Sequence, residues 1–352
     1  MKEPWRRRQA SLLVLGVLAW NTALGAPALL PLAAQADMVT VSGLSSGAYM
    51  AVQFQIAYSQ RVKGAGILAG GPYYCAQGQV KRALANCMAP TATAPPPDVA
   101  QQQELINRLA KDKRIDPPQN LRDDRVWLFY GEGDRTVAPA VMEALAGFYQ
   151  VTLPKDAIKL VRHPVAGHAM PSVVAPQANA CATSEVPYIN RCADFDAAGE
   201  LLNHLLGALK PRRASPEGQL SSFDQRRWVS GGALDASMAD DGYVYVPKEC
   251  QRGGCRIHVA FHGCRQGTDA IGTQFVAGAG YNEWADTNRL IVLYPQVRAR
   301  TGLALGSWIT LMNPKGCWDW WGYTGAGYHT RDGVQMRAVI GMIEQLSRQR
   351  AP

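Results

Sequence analysis

Charge is scarce in this sequence. Only 18% of its 352 residues are Asp, Glu, Lys or Arg, against roughly 25% in an average soluble domain. Hydrophobic residues make up 47%, so the low charge does not mark a disordered chain, which lacks the apolar surface to offset chain entropy. No apolar run reaches the ~20 residues that a membrane-spanning helix needs. No dense Lys/Arg stripe with interleaved aromatics is present, which excludes an ordinary nucleic-acid-binding surface. Cys250-x4-Cys255 has no second C-x-x-C or H-x-x-x-H partner, which argues against a structural zinc site. No internal repeat occurs, so a solenoid or propeller is excluded. What is plentiful is turn chemistry: 34 Gly and 22 Pro point away from a helical bundle.

The formal net charge of +8 is partly a property of the N-terminus. Residues 2–8 hold Lys2, Arg6, Arg7 and Arg8 against Glu3, and Ser11–Ala23 is a short apolar segment. Ala34-Gln35-Ala36 is a small-residue cleavage signature, with an earlier site near Gly25 as the alternative. Together these read as a secretory leader over residues 1–36. Its removal takes three positive charges with it and leaves +5, an ordinary solubility charge. Export to the periplasm or the exterior places the eight Cys in an oxidising compartment, where an even set forms disulfides. Proximity pairs Cys75 with Cys87, Cys181 with Cys192 and Cys250 with Cys255, leaving Cys264 with Cys317, one of 105 connectivities.

Strand-like and helix-like segments alternate through the mature chain. MVTVS, Val62–Ala69, RVWLFYG (Arg125–Gly131), AIKLVR, GYVYVP, RIHVAF (Arg256–Phe261) and LIVLY (Leu290–Tyr294) read as strands. Asp98–Ala110, Val141–Tyr149, Phe195–Leu209, Ile271–Arg289 and the amphipathic Thr330–Arg348 read as helices. Residues 71–120 differ in character, with two Cys and the Pro-rich run Thr91–Pro97, and read as a cap insertion. Residues 210–218 read as a surface crossover. The alternation predicts an α/β fold with a mainly parallel sheet flanked by helices.

Between the strand MVTVS and the helical AYMAVQFQIAYS lies Gly43-Leu44-Ser45-Ser46-Gly47. This matches the G-x-S-x-G turn that lifts a serine clear of the backbone at a strand–helix junction. In a bland reading it is only a Gly-rich β–α turn. A nucleophilic serine needs a base, and the base needs an orienting carboxylate. Asp134 follows the strand RVWLFYG and His168 follows AIKLVR, the places where open α/β sheets keep their sites. Glu132 and His163 compete for the same two roles. The chain order Ser45, Asp134, His168 is that of α/β-hydrolases, whose oxyanion hole includes the N–H after the nucleophile, here Ser46.

The second oxyanion donor normally comes from a His-Gly loop earlier in the chain. Here His262-Gly263-Cys264 follows RIHVAF, far after Ser45. The order becomes sensible for a circularly permuted chain that starts at Gly242 and feeds its C-terminal helix into MVTVS, with the two termini as neighbours. On that reading residues 37–352 form one catalytic domain.

These segments resemble the poly(3-hydroxybutyrate) depolymerases with a circularly permuted α/β-hydrolase catalytic domain. The resemblance rests on SGLSSGAYMA around Ser45, YGEGDRTV around Asp134, AGHAMP around His168, HGCRQ around Cys264 and GCWDWWGYTG around Trp318–Tyr323, in the family's order. It implies Ser45 as nucleophile, His168 as base, Asp134 as its orienter, and the Ser46 and Cys264 N–H groups as the oxyanion hole. It also implies aromatic substrate contacts, drawn from Trp318, Trp320, Trp321, Tyr323 and Trp308, with Tyr73 and Tyr74 as further candidates. The expected activity is hydrolysis of poly(3-hydroxybutyrate) and its oligomers through an acyl-enzyme, by a monomer with no cofactor and no metal. No binding module fits after Arg348, so amorphous polymer or oligomers are the expected substrates. A feruloyl- or acetyl-type carbohydrate esterase, and an inactive secreted binder of the same fold, are the rival readings. A bridge between Cys264 and Cys317 would tie the oxyanion loop to the tryptophan segment.

Overall fold

The computed structural model describes residue 1 and residues 25–229, 236–303 and 310–350. The basic segment 2–8, the apolar Ser11–Ala23 and Trp308 lie outside the described residues. In chain order the elements are β1 (Val39–Leu44), α1 (Ser46–Ala57), β2 (Val62–Leu68), α2 (Val80–Asn86), α3 (Val99–Lys111), β3 (Arg125–Gly131), α4 (Pro139–Gln150), β4 (Ile158–His163), β5 (Met170–Pro171), β6 (Asn179–Ala180), β7 (Ile189–Arg191), α5 (Ala197–Leu206), β8 (Gln219–Asp224), β9 (Asp241–Val246), β10 (Arg256–Phe261), α6 (Thr268–Ile271), α7 (Gln274–Gly278), α8 (Tyr281–Thr287), β11 (Leu290–Tyr294), β12 (Arg300–Leu303), β13 (Thr310–Asn313) and α9 (Val334–Ser347).

The main sheet is eight-stranded among the described residues, in the order β4-β3-β2-β1-β10-β11-β9-β8. Strands β4 through β11 run parallel, and β9 and β8 close one edge antiparallel. The fold is an α/β-hydrolase-like, mainly parallel sheet with flanking helices. Every residue of β1 and β11 is buried, as a strand covered on both faces by helices must be. Two apolar layers result. One gathers around α1 and α9, the other around α5 and α8.

The first strand, β1, lies in the middle of the sheet, between β2 and β10. Strands from the N-terminal part of the chain fill one side of it, and those from the C-terminal part fill the other. The end of α9 returns to the start of the described chain. The Leu32 and Ala34 N–H groups both donate to Leu346 O (2.9 and 3.1 Å) and Ala33 N–H donates to Arg348 O at 3.0 Å.

Those contacts correct the expectation that residues 1–36 stand outside the fold. Residues 25–36 are part of it. Leu29 and Leu32 are buried in the core at 3% and 4% exposure. Asp224 N–H donates to Pro27 O, Gly254 N–H to Ala33 O and Gln35 N–H to Cys255 O. The strap fills the apolar groove beside α9 through Leu29, Leu32 and Ala34, while Gln35 of the small-residue triplet Ala34-Gln35-Ala36 stays exposed. Two helix expectations also change. Ile271–Arg289 is broken into α6, α7 and α8 because Gly272 and Gly280 adopt left-handed backbone (φ 58° and 96°), which interrupts the helical ladder. The last helix begins at Val334 rather than Thr330, because residues 330–333 form a turn closed by Gly333 N–H donating to Thr330 O at 3.0 Å.

Four disulfides close: Cys75–Cys87, Cys181–Cys192, Cys250–Cys255 and Cys264–Cys317. Among the described residues no helix is long and apolar enough to cross a membrane.

Candidate active site

Ser45 stands at the junction of β1 and α1 with φ 58° and ψ −121°, a conformation that costs a non-glycine residue on the order of 1–3 kcal/mol. The surroundings enforce it. A Cβ on Gly47 would lie 2.3 Å from Phe261 O, and one on Gly43 would lie 2.2 Å from Gly47 O. Only glycines let strand, turn and helix pass this closely. Ser45 N–H donates to Leu68 O at 2.9 Å, and its carbonyl accepts from Ala48 and Tyr49 N–H. Ser45 is partly exposed while its neighbours on both sides are buried.

Strand β3 delivers Asp134 and the segment after β4 delivers His168. Asp134 Oδ1 accepts from the Thr136 N–H (2.6 Å) and the Val137 N–H (3.1 Å). Its Oδ2 lies 2.7 Å from His168 Nδ1. Both side chains are nearly fully buried. An ionised carboxylate only accepts, so Nδ1–H is the donor and Nε2 of the neutral ring keeps its lone pair. The His168 N–H is held by Ser184 Oγ at 2.8 Å, and the ring meets Tyr188 edge to face. The loop carrying His168 is secured by Gly167 N–H donating to Cys181 O and by the Cys181–Cys192 bridge.

Ser45 and His168 line one cleft of about 640 Å³. Their two sequence competitors are engaged elsewhere. Glu132 pairs with Arg162 at the surface, and His163 Nδ1 accepts the Ala166 N–H at 3.1 Å. His163 also lies near Cys181 and Cys192, but those sulfurs are bonded to each other and offer no thiolate for a metal.

Facing Ser45 is the His262-Gly263-Cys264 loop at the end of β10. A Cβ on Gly263 would come within 3.5 Å of Ser45 Cβ. His262 is fully buried. Its Nδ1 bonds Gly263 O and its Nε2 accepts the Val297 N–H, which makes it a neutral Nδ1–H tautomer. Burial pushes its pKa down to about 4. Gln266 locks the loop. Its Oε1 accepts the Gly263 N–H at 2.7 Å and its Nε2 donates to Pro187 O and Tyr188 O, which ties the loop to the segment beside His168. The Ser46 N–H belongs to the first turn of α1, where helix donors have no intrahelical partner. The Cys264 N–H has no hydrogen-bond partner among the described residues.

Apolar and aromatic groups make the rest of the cleft. Trp320, Trp321, Tyr323, Val80, Leu84 and Met88 line it, and Met88 packs in one cluster with Trp320 and Trp321. Trp320 stacks on Tyr49 with centroids 4.2 Å apart, and Tyr49 OH bonds Cys87 O. Three sequence candidates lie elsewhere. Trp318 is wholly buried in the core against Phe261 and His262, because it precedes the turn that exposes its neighbours. Tyr74 faces a separate shallow pocket beside α3 and stacks on His329, and Tyr73 is buried with its OH on His329 O.

The sequence reading missed Asp319. It is almost fully buried and opposes no cation among the described residues. Instead its carboxylate accepts the N–H groups of Trp321, Gly322, Tyr323 and Thr324 and the Thr324 hydroxyl. Burial raises its pKa, and the hydrogen bonds oppose that rise. A lone acid inside an aromatic run, followed by Gly and Thr, was the available signal.

A serine on a strand–helix turn of a parallel sheet, sharing a cleft with a His–Asp pair, defines the α/β-hydrolase class. No family model matches the chain. It is 38% identical over 344 residues to a poly(3-hydroxybutyrate) depolymerase of Delftia acidovorans, an alignment covering 96% of this chain and 65% of that protein's length. It is 35% identical over 340 residues to a polyhydroxybutyrate depolymerase of Talaromyces funiculosus, covering 94% and 96%. Two solved structures are similar. One is a serine-to-alanine PHB depolymerase complexed with an R3HB trimer (TM-score 0.81, 35% identity). The other is a PHB depolymerase from Penicillium funiculosum (TM-score 0.80, 34% identity). Each alignment covers 91% of this chain and 98% of the other. The chain belongs to the poly(3-hydroxybutyrate) depolymerase family.

Proposed function

We propose that this chain is an exported serine esterase that hydrolyses poly(3-hydroxybutyrate), in amorphous form, and its oligomers. The observation that carries the reading is the 2.7 Å Asp134–His168 pair opening on the same cleft as Ser45. His168 Nε2 takes the Ser45 hydroxyl proton as Oγ attacks an ester carbonyl. Charge developing on the carbonyl oxygen is held by the Ser46 and Cys264 N–H groups, donors of the kind worth roughly 10²–10³ in rate each. The ester C–O bond breaks, and the leaving alkoxide takes the proton from His168. Water then repeats the sequence on the acyl-enzyme and releases a hydroxy acid. Asp134 fixes the tautomer and stabilises the imidazolium formed on the way. Trp320, Trp321 and Tyr323 hold the apolar ester chain.

The relative solved with an R3HB trimer supports oligomers as substrates. The four disulfides support a life in the periplasm or outside the cell. A monomer is the working unit of this proposal. The topology, with β1 central and both chain ends against α9, supports a circularly permuted hydrolase forming one catalytic unit, in which residues 71–120 are an insertion that rims the cleft through α2. The packed strap supports the alternative leader end near Gly25.

Ser45→Ala is the direct test. Purified wild-type chain should release acid from amorphous poly(3-hydroxybutyrate) and take up one equivalent of a serine-directed phosphonate. The variant should fold, lose labelling and lose turnover by about 10⁴-fold or more. Retained turnover in the variant, or an unlabelled Ser45 in the wild type, overturns the reading.

A further inference from the structure

The cleft described above holds no carboxylate among its described lining residues. Besides His168, its charged side chains are Arg265 and Lys315. Both are exposed, and neither forms an ion pair among the described residues, although eleven other Lys and Arg side chains and His168 do. The two are not casual surface groups. Arg265 directly follows the proposed oxyanion residue Cys264, and it holds a left-handed backbone (φ 60°) that costs energy for a side chain with a Cβ. Its N–H donates to Lys315 O at 2.7 Å, so the backbones that carry the two cations are joined directly. The Cys264–Cys317 bridge clamps the same junction, and Gln266 pins it from the other side. A rigid platform thus aims two positive charges at one end of an otherwise apolar, aromatic cleft.

The geometry points to a site for the terminal carboxylate of a hydroxyacid oligomer. The inference rests on the esterase reading and deepens it. A linear oligoester carries one ionised group at neutral pH, the carboxylate at its acid end, and each ester bond hydrolysed adds one more, so that every product carries one. Arg265 offers a planar fork suited to a carboxylate and Lys315 a compact point charge. Apolar walls lower the local dielectric and strengthen the attraction. The chain would then favour short, carboxylate-ended oligomers over chain interiors and would be inhibited by its own acid products.

Titration calorimetry on the Ser45→Ala chain, with a 3-hydroxybutyrate trimer as the free acid and as its methyl ester, decides this without turnover. The acid should bind at least about fivefold more tightly than the ester. In Arg265→Gln/Lys315→Gln on that background the preference should vanish, and Arg265→Lys with Lys315 intact should retain most of it. Raising salt from low ionic strength to about 0.5 M should erode the wild-type preference, since exposed charges are screened. Equal binding of acid and ester, or a preference that survives the double substitution, overturns the inference. If the wild-type chain hydrolyses neither form, the esterase reading fails, and the titration still decides the carboxylate site.

Discussion

At the scale of single residues the site depends on which atom carries a proton. Asp134 uses one oxygen to cap its own turn and the other to accept from His168. Asp134→Asn preserves shape, because the amide oxygen can still cap Thr136 and Val137. Its NH₂ would then face His168 Nδ1 and force the proton onto Nε2, where a base is needed. Turnover should fall by about 10⁴-fold with little change in Tm, measured as kcat on a soluble oligomer beside a thermal melt. A fall of less than tenfold would remove Asp134 from the proposed role. The motif order in the sequence already favoured Asp134 and His168. What it left open was the choice against Glu132 and His163, since two acids and two histidines sit within a few residues of each other. Local pattern could not separate them. The surface pairing of Glu132 with Arg162 is a tertiary contact.

At the scale of elements, the walls of the cleft come from segments far apart in sequence, each pinned by a bridge. Cys75–Cys87 brackets α2, Cys181–Cys192 secures the His168 loop, and Cys264–Cys317 joins the proposed oxyanion loop to the tryptophan loop. The last closes a separation of 53 residues, which on the loop-entropy account contributes about 4 kcal/mol. Cys264→Ala/Cys317→Ala should lower stability by about that amount in denaturant melts and reduce kcat at least tenfold. Loss of the bridge with kcat unchanged would deny it a part in holding the oxyanion loop.

A second element-scale device lies below the sheet. Asp124, buried at the start of β3, accepts from Gln55 of α1, whose oxygen accepts from Tyr149 of α4. Burial raises the Asp124 pKa to about 7, well above the ordinary carboxyl value. The fold therefore prefers the protonated form, and the stability this contributes is lost as pH climbs from about 4 through 7. Asp124→Asn removes the titration. It should match wild-type stability near pH 4 and exceed it by on the order of 4 kcal/mol at pH 8. A constant difference across that range would show that Asp124 does not titrate there.

On the whole-molecule scale the chain ends matter. The strap of residues 25–36 lies along α9, with Leu29 and Leu32 in the core. Leu32→Ala should cost about 2–4 kcal/mol, in the range for a buried leucine. Mass spectrometry of the exported protein should find its first residue close to Ala26. A start at Asp37 would mean that the fold stands without the strap. The same neighbouring ends are what a permuted chain requires.

The alternation of strands and helices, the serine turn and the acid–base order were determined by the sequence itself, because each is local: periodicity, a glycine pair around a serine, a residue placed just past a strand. The broken helix after β10 was decided by backbone sign at two glycines, which apolar spacing does not report. Trp318 in the core and Trp320 in the cleft share one aromatic run. Only the tertiary structure separates them: the buried carboxylate of Asp319 gathers the N–H groups of the following turn, with the Trp318 ring packed in the core on one side and the Trp320 ring bordering the cleft on the other. The place of residues 25–36 was likewise decided by the fold. Local pattern reports the small-residue triplet, and only the fold reports the hydrogen bond from Ala34 N–H to Leu346 O of α9, more than 300 residues later.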